Sequence, residues 1–249
     1  MTLDAFFQDH PRAALAFSGG TDSSYLLFAA LRAGADVCAY YARSAFQPAF
    51  ELEDAQRLSH ELGAALVVLD IDVLDDANVT SNPPERCYYC KRHIFETIRD
   101  AARRDGYGLL LDGTNASDDA GDRPGMRALA ELEVRSPLRE CGLTKAEVRR
   151  LSREAGLFTW DKPAYACLAT RIPTGTPITA EALARTERAE DHLRALGFSD
   201  FRVRWLDGAA KLQLPESQLP LLLERRETVL AVLKRDYSSV MLDLEVRHE

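Results

Sequence analysis

The sequence predicts an α/β protein: a doubly wound, mostly parallel sheet followed by a small C-terminal α/β appendage. Short β-prone apolar runs alternate with stretches of helical periodicity, as parallel sheets with crossover helices require. The first run, Ala13-Ala14-Leu15-Ala16, enters a helical pattern through Phe17-Ser18-Gly19-Gly20-Thr21-Asp22-Ser23-Ser24. From Leu157 to Pro177 the character changes, with Pro163, Pro173, Gly175 and Pro177 and little periodicity. These features divide the chain into a domain over 1–160, a linker over 161–177 and a small domain over 178–249.

The elements follow in order. Ser24 to Arg32 reads as the opening helix, and Asp36-Val37-Cys38-Ala39-Tyr40-Tyr41 as a buried strand. Leu52, Ala55, Leu58 and Leu62 recur at helical spacing over 51–62, and Gly63 ends that helix before the strand 65–69. A polar segment from Asp70 ends in Asn82-Pro83-Pro84, and Cys90 to Arg104 is the next helix. Leu109-Leu110-Leu111 is a short fourth strand that runs into Asp112-Gly113-Thr114-Asn115. After an Asp- and Gly-rich loop come a helix near Met126 to Glu131 and a short extended piece at Val134. Thr144 and Glu147 then form a capping box for a helix to about Ala155. Beyond the linker, Ala180 to Leu196 is a helix, and strands 201–205 and 211–214 flank a turn at Asp207-Gly208. Leu219 to Lys234 is predicted as one helix and Val240 to Val246 as a last strand.

With 249 residues, 46% apolar and 28% charged, the chain can bury a sizeable core. Lys+Arg of 31 against Asp+Glu of 39 gives −8, so no global basic field favours nucleic acid. No stretch is apolar enough to span a membrane, and the first residues lack the pattern of an export signal. The five cysteines are then expected to be reduced, in a cytoplasmic protein, and available for metal or catalysis before disulfides.

A strand that passes through a glycine pair into a helix N-terminus is a place for an anion. Backbone can approach there, and the first-turn N–H groups point at whatever sits in front. No lysine follows Gly19-Gly20, so this is not a Walker-type loop, and Asp22 offers a carboxylate for Mg²⁺ beside a phosphate. A turn that merely caps a helix is the plainer reading of the same residues. Ligands of such sheets bind outside the strands' carboxyl ends, so Ser18-Gly19-Gly20 and Asp112-Gly113-Thr114-Asn115 can face one pocket, with adenine or ribose near Tyr40 to Arg43.

Cys87-Tyr88-Tyr89-Cys90, between a proline-rich loop and a helix, suits a redox pair or two structural thiols, and Arg86, Lys91, Arg92 and His93 surround it. Cys167 lies in an irregular segment between Lys162 and Arg171, which favour its thiolate. Thiolates from Cys87, Cys90 and Cys167 would leave one iron of a [4Fe–4S] cluster without a protein ligand. Cys38 reads as a small buried hydrophobe and Cys141 as a loop thiol. Arg202 and Arg204 alternate on one strand face, a pattern suited to phosphate or to solvent. Asp118, Asp119 and Asp122 suit a metal or a solvated acidic loop.

Together these stretches, with Arg123-Pro124-Gly125, Ser136-Pro137-Leu138, Lys162-Pro163-Ala164 and Ala166-Cys167-Leu168-Ala169-Thr170-Arg171-Ile172-Pro173, resemble the ATP-pyrophosphatase (PP-loop) superfamily. Within it they resemble the LarE family of sulfur transferases, which act in nickel-pincer cofactor synthesis. The resemblance implies the adenine nucleotide alpha hydrolase-like fold, with ATP on Ser18, Gly19, Gly20, Asp22, Ser23, Gly113 and Asn115 and with Mg²⁺ present. It implies adenylation of a carboxylate of a pyridinium-dicarboxylate mononucleotide, then sulfur transfer at Cys167. The sulfur comes either from Cys167 itself, which becomes dehydroalanine, or from a sulfide on a [4Fe–4S] cluster held by Cys87, Cys90 and Cys167. All three cysteines are present, which favours the cluster. Arg202, Arg204 and Glu190 are implied as substrate contacts, and a sulfide donor outside the chain and a homo-oligomer as partners. Two departures stand out: Gln213 replaces a family acidic residue, and the end at Leu242 to Glu249 lacks the family's glycine- and serine-containing tail. A tRNA thiolase and an amide-forming enzyme of the NAD-synthetase kind use the same loop and are the rival expectations.

Overall fold

The structure is a computed structural model that describes residues 1–118 and 124–245. Its backbone forms two compact units, Met1–Val73 with Glu85–Lys162, and Leu74–Pro84 with Pro163–Glu249.

In the first unit β1 (Arg12–Ala16), β2 (Asp36–Arg43), β3 (Ala65–Asp70) and β4 (Leu110–Leu111) form a parallel sheet in the order β3-β2-β1-β4. Near-continuous apolar runs in β1 and β2 let this sheet be buried on both faces. Ala13 and Leu15 of β1, with Val37, Ala39 and Tyr41 of β2, enter one core, where Leu26, Leu27 and Leu58 meet them. Ala14, Cys38 and Tyr40 enter the other, against Ile98, Ala101 and Ala102. Leu26 and Leu27 belong to α2 (Thr21–Arg32), Leu58 to α3 (Ala49–Leu62), and Ile98, Ala101 and Ala102 to α5 (Arg86–Arg104). The chain moves outward from β1 to β2 and β3, then returns to place β4 on β1's other side. The strand order therefore reverses at β1 and β4, and open parallel sheets bind their ligands at the carboxyl ends of strands at such a point.

In the second unit α9 (Ala180–Ala195) packs on an antiparallel hairpin, β5 (Arg202–Leu206) and β6 (Ala209–Gln213), with β7 (Val240–Leu242) parallel to β6. Leu193, Phe198, Phe201, Val203, Leu212, Val229 and Leu233 form its core. Asn82, in left-handed conformation, joins the segment 74–84 to this unit: its Nδ2 donates to Pro173 O (2.8 Å) and Thr176 O (3.0 Å).

Several elements differ from the sequence expectation. α1 (Leu3–Asp9), capped by Thr2, buries Phe6 and Phe7, but its seven residues are too few to show a period. The short helices α4 (Ala77–Thr80) and α7 (Pro137–Glu140) were also unforeseen. α2 begins at Thr21, so Asp22 and Ser23 lie inside its first turn. α5 begins at Arg86, directly after the prolines, so the cysteine pair is on the helix rather than ahead of it. α6 (Pro124–Glu131) precedes α7, and α8 (Lys145–Glu154) follows it with the expected capping box. The expected helix from Leu219 is two, α10 (Leu219–Glu224) and α11 (Arg226–Leu233), broken where Arg225 leaves helical dihedrals (φ −94°, ψ 8°). That bend lets Leu221 and Leu222 as well as Val229 and Leu233 meet one core. The last strand stops at Leu242, and Val246 lies outside the described residues.

Candidate functional site

The loop after β1 is held by its own serines. Ser18 Oγ and Ser23 Oγ are 3.0 Å apart, Gly20 N donates to Ser18 Oγ (3.3 Å), and Ser23 Oγ donates to Gly20 O (3.3 Å). Gly19 is required twice over. Its φ is +69°, and a Cβ there would lie 3.1 Å from Glu51 O and 3.2 Å from Ala55 Cβ. Gly20 occupies the N-cap of α2 without a side-chain cap, so the positive end of the helix dipole is open to an anion.

The second loop seats against the first. A Cβ on Gly113 would stand 2.8 Å from Ser23 N, so only glycine permits this approach. Asp112, buried, accepts from Ser136 Oγ (2.6 Å) and Thr114 N (3.2 Å), which fixes the turn. Asn115, also buried, donates from Nδ2 to Asp22 Oδ1 (3.4 Å) and receives Ser117 N on Oδ1 (2.8 Å). The structure thus gathers Ser18, Gly19, Gly20, Asp22, Ser23, Gly113 and Asn115 where the loops after β1 and β4 meet. Tyr40 and Tyr41, expected near adenine, are core residues, and the Tyr40 hydroxyl donates to Asp105 (2.7 Å).

Two lysines flank this loop. Lys145 Nζ, from the first turn of α8, lies 2.6 Å from Asp22 Oδ2. Burial pushes the Asp22 carboxyl above the ordinary carboxylate range, and the bond from Lys145 opposes that shift. Lys162 Nζ lies 2.6 Å from Asp54 Oδ2 and 3.4 Å from Gly19 O. The segment before it is fastened to α2, because Thr21 Oγ1 donates to Thr159 O (2.8 Å). Sequence reasoning missed Lys145, which showed only as the residue after a cap, and placed Lys162 beside Cys167 alone. No local signal reveals either approach.

Asp22, with Asn115 and Asp118 near it, offers the hard oxygen donors that suit Mg²⁺. Asp118 accepts Asn115 N (2.8 Å), while Asp119, Asp122 and Arg123 lie outside the described residues. Soft donors are Cys87 and Cys90, one turn apart on α5, with Arg86 Nη2 donating to Cys87 Sγ (3.6 Å). Arg92 pairs with Glu96 (3.0 Å). Cys167 belongs to the second unit. Among the described residues no group of three or more His, Cys, Asp or Glu could hold a metal ion. Cys38 is buried in β2, as expected, and Cys141 caps the C-terminus of α7.

Cys167 stands at the N-cap of a single 3₁₀ turn, Leu168–Arg171. The guanidinium of Arg171 is fully buried and pairs with the buried Glu190 of α9 (Nε to Oε1, 2.8 Å). Glu190 also accepts Val203 N (3.0 Å) and the Tyr165 hydroxyl. Burial raises the Tyr165 hydroxyl above its ordinary pKa, and the charge of Glu190 adds to the shift. Arg202 and Arg204 share the face expected of them, but both are engaged here. Arg202 Nη2 donates to Ala164 O (2.6 Å), and Arg204 donates to Thr170 O (2.7 Å) and Gln213 Oε1. Gln213 in turn donates to Asp243 Oδ2 (2.8 Å), so a carboxylate stands one hydrogen bond behind the position where the resemblance places an acid.

Comparison with known proteins agrees with this geometry. Residues 12–83 match the family described as Queuosine biosynthesis protein QueC. An uncharacterized protein of Synechocystis sp. is 40% identical over 218 residues, 87% of this chain and 81% of its own. Pyridinium-3,5-bisthiocarboxylic acid mononucleotide synthase of Lactiplantibacillus plantarum is 37% identical over 220 residues, 88% of this chain and 80% of its own. The tRNA-specific 2-thiouridylase MnmA of Methylobacterium nodulans is 31% identical over 192 residues, 61% of this chain and 50% of its own. With its phosphate-type loop at the switch point of a parallel sheet and its similarity to the synthase along most of both chains, the protein belongs to the LarE-type family of PP-loop sulfur transferases.

Proposed function

We propose that the protein uses ATP to adenylate a carboxylate of a pyridinium-dicarboxylate mononucleotide and converts it to a thiocarboxylate, in nickel-pincer cofactor synthesis. The observation that carries this reading is the 37% identity with the synthase over 88% of the chain. The loop described above gives it a physical basis.

ATP phosphates sit before the N-terminus of α2, against Ser18, Gly19, Gly20 and Ser23, with Gly113 and Asn115 closing the other side. Mg²⁺ at Asp22 would screen the phosphate charge. A substrate carboxylate oxygen attacks the α-phosphorus, the bond to the β-phosphate oxygen breaks, and pyrophosphate leaves with its charge favoured by the helix dipole and nearby lysines. A carboxylate is a poor acyl donor, and the mixed anhydride makes AMP its leaving group. A sulfur nucleophile at Cys167 adds to the acyl carbon and AMP departs. If the sulfur is that of Cys167, a thioester forms, loss of the Cys167 Cα proton breaks its Cβ–Sγ bond, and thiocarboxylate and dehydroalanine result. Cys87, Cys90 and Cys167 would hold a [4Fe–4S] cluster, which when bound supplies sulfide from a donor outside the chain for repeated turnover. Arg202 and Arg204 would orient the substrate and its phosphate, with Glu190, buried and paired with Arg171, supporting that region from within.

On this reading residues 1–160 adenylate, 161–177 present Cys167, and 178–249 hold the substrate, in a cytoplasmic homo-oligomer. Among the described residues no helix is long and apolar enough to cross a membrane. A tRNA thiolase is the second reading, because MnmA proteins are related over 61% of the chain, but the charge of −8 offers tRNA no general attraction.

The test is incubation of the anaerobically purified protein with ATP and the dicarboxylate mononucleotide. Substrate-dependent pyrophosphate and a thiocarboxylate product are expected, and absence of pyrophosphate contradicts the proposal. Iron and acid-labile sulfide in the same protein support the cluster route. Iron-free protein in which Cys167 loses its sulfur after one turnover supports the sacrificial one. Specific, salt-sensitive tRNA retention would favour the thiolase.

A further inference from the structure

We propose that Arg171 is a positioning residue for sulfur transfer: locked on Glu190, its guanidinium fixes the main chain on both sides of Cys167. The proposal rests on the sulfur-transfer reading above and concerns how Cys167 is aimed.

A segment punctuated by Pro163 and Pro173 would ordinarily be a mobile connection. Here its carbonyls are held one after another by guanidinium groups. Arg202 Nη2 holds Ala164 O at 2.6 Å, and Arg204 Nη1 holds Thr170 O at 2.7 Å. Between them Arg171 Nη1 donates to Ala166 O (2.8 Å) and Thr170 Oγ1 (2.8 Å), with Cys167 O at 3.4 Å. The Cys167 carbonyl also accepts Thr170 N (3.0 Å) and Thr170 Oγ1 (2.8 Å). These bonds fix the carbonyls of Ala166 and Cys167, hence the dihedrals at Cys167 (φ −51°, ψ 147°) and the direction of its Cα–Cβ bond. One side-chain torsion then remains to place the sulfur.

The other edge of the same guanidinium is immobile. Nε and Nη2 of Arg171 meet the two oxygens of Glu190 at 2.8 and 3.1 Å. Glu190 is fixed in turn by α9, by Val203 N (3.0 Å) and by the Tyr165 hydroxyl. Arg171 thus ties the cysteine to the framework of helix and hairpin through a rigid planar fork, a geometry that lysine cannot reproduce. Stability alone is a poor reason for this arrangement, since a buried ion pair is often matched or exceeded by apolar residues of similar volume. An aimed nucleophile is a better one, because displacement by about 1 Å can cost roughly 100-fold in rate.

The test compares wild type, Arg171→Lys and Tyr165→Phe as full-length proteins, with pyrophosphate and thiocarboxylate followed in one quenched reaction of ATP and the dicarboxylate mononucleotide. Iodoacetamide labelling of Cys167, with Cys87 as internal reference, is measured by peptide mass spectrometry. In Arg171→Lys, pyrophosphate release and substrate KM stay within about twofold of wild type while thiocarboxylate formation slows by about 100-fold. Cys167 labelling changes several-fold relative to Cys87. Tyr165→Phe, which removes one donor to Glu190, shows the same split to a smaller degree and decides the matter if Arg171→Lys does not fold. Both products falling together, or neither falling with labelling unchanged, overturns the proposal. If wild type makes no thiocarboxylate, the sulfur-transfer reading fails, and labelling still decides whether Arg171 orders Cys167.

Discussion

Asp22 must stay ionised in a half-buried place that resists charge. Burial raises its pKa, and Lys145 at 2.6 Å opposes the shift by hydrogen bond and by charge. Asp22→Asn keeps the shape but removes the anion, so pyrophosphate release is expected to fall roughly 100- to 1,000-fold, the scale of losing one preorganised electrostatic group. The melting temperature should change little, because the remaining Lys145 is about one-third exposed (32%). A pyrophosphate assay beside a thermal melt checks both. Gly113→Ala is a steric test: the added Cβ would meet Ser23 N at 2.8 Å, and backbone cannot give way as a flexible side chain would. A loss of about 1–3 kcal/mol in urea unfolding, with a raised KM for ATP, is expected.

Elements hold these residues through their ends. Thr144 is the N-cap of α8: its side chain caps Glu147 N while the Glu147 carboxylate accepts Thr144 N (2.8 Å). Thr144→Ala should destabilise the first unit by about 1 kcal/mol in denaturant titration and loosen the turn that carries Lys145. At the end of α7, Glu140 accepts Arg135 Nε (2.8 Å) and Ser136 N (3.2 Å), which steadies the residue that bonds Asp112. The bond from Arg135 holds the Glu140 carboxyl below its ordinary range. The carboxylate therefore contributes stability at neutral pH, and the contribution is lost as pH falls through and below the usual glutamate value. Glu140→Gln is expected to be less stable than wild type near pH 7, by at most about 1 kcal/mol for so exposed a pair, and the gap should close at about pH 3. Urea unfolding at the two pH values measures this, and a constant gap would assign the loss to something other than charge.

At the scale of the molecule, the alternating sheet was legible because β1 and β2 are near-continuous apolar runs, the pattern of strands buried on both faces, and because glycines mark the loop. The capping box of α8 and the change of character after Leu157 were legible for similarly local reasons. What escaped depends on tertiary packing. α1 is too short to show a period, and Arg225 breaks a helix whose periodicity runs on unbroken. Lys145 approaches Asp22, and Arg171 meets Glu190, across long stretches of chain that no spacing encodes. Arg202 and Arg204 were read as one basic face, but the carbonyls that hold them come from the cysteine segment, which the strand pattern cannot show. The central claim is a division of labour: the loop at Ser18 to Ser23 makes the leaving group and Cys167 delivers the sulfur. Its most direct measurement is a reaction of Cys167→Ala with ATP and the dicarboxylate mononucleotide, with pyrophosphate and product followed together. Pyrophosphate release that continues without any thiocarboxylate is the expected result, and undiminished thiocarboxylate formation would contradict it.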